Sequence, residues 1–149
     1  MSVSFVLAQE DDLKDVLHMM EEFYAIDYYP FDKIMTADNL KKFAMNPELG
    51  RLWVIISGGE IIGYIVLTFG FSFEFKGRDA FLDEFYLKEA YRGRGIGSHA
   101  VDFVLKQAEA LGIKAVHLEV ERHNEKGTRL YRRKGFEEHK RALMTRWLS

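Results

Sequence analysis

No cysteine occurs in the chain, which removes disulfides, thiolate-bound metals and a thiolate nucleophile at one stroke. Only two prolines fall within 149 residues, and no Pro-, Gly- or Ser-rich tract separates one stretch from another. Residues 1–149 therefore read as a single domain. Charge of one sign is missing as well. Twenty-one basic residues against 23 acidic ones leave a net charge of −2, with no global pull toward nucleic acid. The basic cluster Arg129, Arg132, Arg133 and Lys134, with Lys140 and Arg141, reads as a solvated helix face. No apolar run reaches the length of a membrane span, and the N-terminus has no basic-then-apolar cleavable pattern, so a cytoplasmic protein without a membrane partner is expected. The five histidines lack ligand spacing, and no metal is expected. What the chain does hold is 48% hydrophobic residues, enough for a real core.

The periodicities predict alternating elements. Val3 to Ala8 reads as a strand, followed by a helix over Gln9 to Ala25 with Leu13, Val16, Leu17, Met20, Phe23 and Tyr24 on one stripe. Residues 26–35 read as a loop, and Thr36 as the cap of a short helix ending by Asn46-Pro47. Leu52 to Ser57 and Ile61 to Phe69 form a hairpin through Gly58-Gly59. After a turn at Lys76 to Asp79, Ala80 to Leu87 is a fourth strand. A helix over Ser98 to Leu111, a strand over Lys114 to Val120, a helix over Glu125 to Lys134 and a last strand pair, 137–141 and 142–148, complete the order β-α-α-β-β-β-α-β-α-β-β. This is α/β with a mixed sheet flanked by helices.

Between the fourth strand and its helix lies Tyr91-Arg92-Gly93-Arg94-Gly95-Ile96-Gly97, followed by Ser98. Three glycines let the backbone approach an anion, the helix start offers unpaired N–H groups, and two arginines add charge, so the loop suits a pyrophosphate. The third glycine of a dinucleotide fingerprint is replaced by Ser98, and a Walker A Gly-Lys-Ser/Thr is absent.

Arg92-x-x-Gly95-x-Gly97 resembles the acetyl-CoA loop (Q/R)-x-x-G-x-(G/A) of the GCN5-related N-acetyltransferase (GNAT) superfamily. The downstream run Leu118-Glu119-Val120, Asn124, Gly127, Leu130-Tyr131 and Gly135-Phe136 is similar to that family's L-x-V…N-x-x-A-x-x-LY-x-x-x-GF, with Gly127 in place of alanine. The resemblance implies the acetyltransferase fold, with a mostly antiparallel sheet covered on both faces. It implies acetyl-CoA as cosubstrate, held by Phe85, Tyr86 and Leu87 main chain, by Arg92, Gly93, Arg94, Gly95, Ile96, Gly97 and Ser98, and by Asn124, Gly127 and Tyr131. It also implies Tyr131 as the proton donor to the leaving thiolate.

An amine must lose its proton before it attacks a thioester. Asp83 and Glu84, in the middle of Phe81-Leu82-Asp83-Glu84-Phe85-Tyr86-Leu87, are the candidate bases, since two carboxylates in an apolar strand are costly without a purpose. Alternation sends one to each face; Glu84 is favoured and Asp83 held in reserve. The expected acceptor is a small, cationic amine, met by the acidic and aromatic collection Asp27, Tyr28, Tyr29, Phe31, Asp32, Phe73, Glu74 and Phe75, from which Tyr28, Tyr29, Asp32 and Glu74 are the binding candidates. Leu82 to Phe85 is somewhat similar to the Leu-acid-acid-Phe run of spermidine/spermine N-acetyltransferases, a match too short to name a substrate. Exposed aromatics would equally suit a homodimer surface. The alternative to catalysis is an acyl-CoA-binding sensor of the same fold.

Overall fold

The computed structural model describes residues 2–149. The chain divides into two compact units, the first ending at Glu119 and the second covering Val120–Ser149.

The first unit is built on a five-stranded sheet in sequence order: β1 (Ser4–Leu7), β2 (Gly50–Ser57), β3 (Glu60–Ser72), β4 (Gly77–Leu87) and β5 (Ala115–His117). The first four are antiparallel and β5 joins parallel to β4. A parallel neighbour needs a crossover, and α3 (Ile96–Ala110) supplies it. The expected Gly58-Gly59 turn is present, both residues having the positive φ that a two-residue hairpin requires.

The helical layers follow from the apolar patterns. Strand β2 is buried on both faces. Leu52 and Val54 pack with Leu13, Val16, Met19 and Met20 of α1 (Leu13–Ile26) and Leu40 of α2 (Lys33–Met45). Trp53 faces the other way and meets Phe103 of α3, ring centroids 5.3 Å apart. The helices thus cover both faces of the sheet.

Several boundaries move. The first helix opens with a 3-10 turn, Glu10–Asp12, held by a capping box between Gln9 and Asp12. Asp32, not Thr36, caps α2, its carboxylate accepting from the Met35 N–H at 3.0 Å. The turn between β3 and β4 lies at residues 73–76, so Arg78 and Asp79 belong to the strand. Helix α3 begins at Ile96, which places Gly97 and Ser98 in its first turn.

Strand β4 contains a bulge. Val66 pairs with Glu84 and Leu67 with Leu82, leaving Asp83 without a cross-strand partner. Val66 and Tyr64 belong to the core under α1 and α2, so their partners Glu84 and Tyr86 point there as well. On the other side of the bulge Thr68 shares that face by alternation, and so does its partner Phe81; two residues on, Asp83 returns to it. Asp83 and Glu84 therefore leave the sheet on one face. The expectation of opposite faces is corrected, because the extra residue cancels the alternation.

The second unit contains one helix, α4 (Glu125–Arg133). Gly135, with φ of +94°, ends it: the Phe136 N–H reaches back to the Tyr131 carbonyl at 3.0 Å and the two rings pack edge to face at 5.9 Å. The predicted strand pair 137–141 and 142–148 does not form. Glu137-Glu138-His139-Lys140-Arg141 has no apolar face to bury, and Leu143, Met144, Trp147 and Leu148 are exposed.

Candidate active site

The glycine loop after β4 has the backbone its sequence requires. Gly93 and Gly95 take φ of +76° and +82°, in the left-handed region that glycine enters without penalty, and Gly95 is the N-cap of α3. A Cβ added at either would meet no atom within 4 Å, so the space beside both glycines is open. The first-turn N–H groups of α3, on Ile96, Gly97 and Ser98, have no intrahelical acceptor, and they sit at the positive end of the helix dipole. Arg92 stitches the loop to the sheet: its Nε–H donates to the Leu87 carbonyl at 2.8 Å and its guanidinium stands over the Tyr86 ring at 5.3 Å. Arg94 lies over Tyr91. Donors, charge and open space together fit an anionic phosphate group.

Strand β4 supplies the second part. Its parallel ladder with β5 stops at Phe81 opposite His117, whereas β4 itself runs on to Leu87. Phe85, Tyr86 and Leu87 thus lie beyond the last β5 rung, on a stretch of β4 whose β5-side hydrogen-bonding positions are not used by that strand. The Tyr86 side chain is turned into the core against Phe23 and Tyr64, so only its main chain can serve a ligand.

Glu84 stands at the centre of the acidic group. The Tyr24 hydroxyl, from α1, donates to its Oε2 at 2.6 Å, and the Tyr64 hydroxyl, from β3, donates to its Oε1 at 2.7 Å. Burial raises the Glu84 pKa most strongly; the two phenol hydrogen bonds pull it back down and the Asp83 charge pushes it up again. Burial raises Asp83 too. Both phenols are driven up by burial and by the carboxylate they serve, so they stay protonated donors. Among the described residues no Lys, Arg or His forms an ion pair with Asp83 or Glu84. Arg78, on the same strand, lies over the Phe69 ring at 4.6 Å.

Tyr24 and Tyr64 were not among the residues singled out from the sequence. They lie 60 and 20 positions from Glu84, and Tyr24 carries only the signal of a core stripe. His117, on β5, is held by Asp79 at 2.9 Å and flanked by the Phe75 and Phe81 rings.

The acceptor candidates are spread out. Tyr28 and Tyr29 follow α1 and are exposed, Asp32 is committed to capping α2, and Glu74 lies in the β3–β4 turn. Tyr28 has φ of +59° and completes a helix-ending motif usually given to glycine: its N–H reaches the Ala25 carbonyl and the Tyr29 N–H that of Tyr24. Phe31 touches the Tyr24 ring at 5.4 Å, which links this loop to the carboxylate.

Within the second unit, Asn124 caps α4 by accepting from the Gly127 N–H at 3.0 Å. A Cβ on Gly127 would lie 2.5 Å from the Asn124 side-chain nitrogen, so the glycine that replaces the family's alanine makes room for this cap. Burial raises the Tyr131 pKa, which keeps its hydroxyl protonated at neutral pH.

With a glycine loop at a helix N-terminus beside a strand that runs on past its parallel partner, the acetyltransferase (GNAT) family model matches residues 16–136. The chain belongs to that family. It is 30% identical over 132 residues to the thialysine N-epsilon-acetyltransferase of Bos taurus, covering 87% of this chain and 71% of that one. An uncharacterized N-acetyltransferase of Methanocaldococcus jannaschii is 27% identical over 93% of this chain, which spans 62% of that relative's length. Among solved structures, an integron cassette protein from the mobile metagenome of Cole Harbour Salt Marsh superposes with a TM-score of 0.86 at 33% identity, covering 97% of this chain and 90% of that one. A predicted acetyltransferase from Clostridium acetobutylicum, solved with acetyl-CoA, shares the fold at a TM-score of 0.81 and 16% identity, covering 97% of this chain and 96% of that one.

Proposed function

We propose that this protein is an acetyl-CoA-dependent N-acetyltransferase that acts on a primary amine of a small cationic molecule by direct attack in a ternary complex. The observation that carries the reading is the Asp83–Glu84 pair on one face of β4, Glu84 half-buried and Asp83 exposed beside it, with no cationic partner among the described residues. Two such carboxylates favour a ligand that brings positive charge. The thialysine N-epsilon-acetyltransferase relative supports a small amine as acceptor.

Acetyl-CoA supplies the activated thioester carbonyl. Loop 92–98 binds its pyrophosphate, and the main chain of Phe85 to Leu87 orients its pantetheine arm. Glu84, directly or through water, takes a proton from the acceptor ammonium, freeing the nitrogen lone pair. The new bond is N–C and the broken one C–S, whose electron pair leaves on sulfur. Tyr131 donates its phenolic proton to that sulfur and is reprotonated from solvent.

Thiol release from acetyl-CoA, measured across mono- and diamines and neutral amines, tests this. Cationic amines should show the lower KM. Tyr131→Phe keeps the ring packed on Phe136 but removes the proton, so kcat should fall by roughly 10²–10⁴-fold with acetyl-CoA affinity retained. Wild-type kcat in the folded variant removes Tyr131 from the chemistry. Binding of acetyl-CoA without turnover of any amine leaves a sensor in place of an enzyme.

A further inference from the structure

Resting on the reading of Glu84 as base, we propose that Tyr24 and Tyr64 are positioning residues: a two-phenol clamp, one arm from helix α1 and one from strand β3, that fixes the Glu84 carboxylate in orientation and keeps it ionised. The geometry is specific. Each carboxylate oxygen has its own phenol, at 2.6 and 2.7 Å, distances in the short range of charge-assisted O–H···O⁻ bonds. Both donors present a proton, and a hydrogen bond to the charged form favours that form. A carboxylate offers about four lone-pair positions, so two stay available for the acceptor amine or a bridging water.

The clamp answers a conflict in the site. A base works only while deprotonated, and the burial that desolvates Glu84, together with the Asp83 charge beside it, drives it toward the neutral acid. The groups facing Glu84 are Tyr24 from α1, Tyr64 from β3 and Asp83 on its own strand; none is a cation, so the phenols are what opposes burial. The two arms differ in burial. Tyr64 is fully buried at the centre of the sheet and tilted against Tyr86. Tyr24 is only part-buried, near the end of α1, and its ring rests on Phe31 of the loop that carries the acceptor candidates Tyr28 and Tyr29. Tyr24 is therefore the arm through which the acceptor loop can affect the base.

The test is a carboxyl ¹³C NMR titration of Glu84 in the substrate-free wild type and in Tyr24→Phe, beside pH–rate profiles of both. A hydrogen bond to a charged group is worth about 1.5–3 kcal/mol, which corresponds to roughly one to two pH units. Tyr24→Phe should raise the Glu84 midpoint by about one unit and move the acid limb of kcat/KM upward by the same amount, with acetyl-CoA KM unchanged. Tyr64→Phe should act in the same direction. If Tyr64→Phe does not fold, Tyr24→Phe alone decides. An unmoved Glu84 midpoint in Tyr24→Phe overturns the clamp. A moved midpoint with an unmoved acid limb upholds the clamp and removes Glu84 as base.

Discussion

In the proposed reaction Glu84 is where function and stability pull in opposite directions. Burial raises it, and Asp83 with it, above ordinary values of 4.5 and 3.8. A raised pKa in the folded state means that the folded chain holds its proton to higher pH than the unfolded chain does. The associated stability is fully present below the unfolded value and is lost as pH climbs through the folded one. Ionised Glu84 therefore costs the fold stability at neutral pH, and enzymes commonly accept such a cost at a reacting group. Glu84→Gln keeps the size and one oxygen for a phenol while removing the titration. Relative to wild type the variant should gain stability as pH climbs from the ordinary carboxylate value of 4.5 through the raised folded one, while losing the acid limb of turnover. Melting curves across that range check it; a constant gap would show that the carboxylate is not a burden on the fold.

At the scale of elements, the sequence was legible wherever the signal was local. The hairpin at Gly58-Gly59 and the glycine loop at Arg92 to Gly97 each depend on residues a few positions apart, and each is found. The bulge at Asp83 and the Tyr24–Glu84–Tyr64 contacts depend on register between strands and on helix placement, which no window of sequence contains. Residues 137–148 were read from pattern alone; a strand needs a partner, and none pairs with them among the described residues. The end of α1 shows the opposite case, a local rule that is broken. A helix-ending position with φ of +59° favours glycine, yet Tyr28 occupies it with 93% of its surface exposed. A left-handed backbone costs an L-residue about 1–2 kcal/mol, set against roughly 0.5–1 kcal/mol of extra chain entropy for glycine. Tyr28→Gly should thus raise stability by about 0.5–1 kcal/mol, seen as a higher urea midpoint with unchanged slope. If the ring serves the acceptor, its KM should rise in the same variant. Lower stability in Tyr28→Gly would mean that the exposed ring contributes contacts that outweigh the backbone strain.

For the molecule as a whole, acetyl-CoA should act as a stabiliser of the folded chain, because the cradle it would occupy exists only when α3 is formed and docked on β4 through Arg92. Linkage at about 100 times Kd adds roughly 2.7 kcal/mol. For a chain of this length that moves the melting temperature by roughly 5–10 °C. CoA should match acetyl-CoA, since both carry the pyrophosphate, while NAD and ATP at equal concentration should give little, as the loop lacks both the dinucleotide fingerprint and the Walker lysine. Gly95→Asp turns the comparison into a test of place. The added side chain meets open space, and an aspartate at a helix N-cap offsets part of the cost of φ +82°, so the ligand-free variant should melt within a few degrees of wild type. Its carboxylate then occupies and repels the volume where phosphate oxygens would meet the first-turn N–H groups, and the CoA-induced shift should fall to less than half. An undiminished CoA shift in a folded Gly95→Asp protein would move the pyrophosphate off this loop.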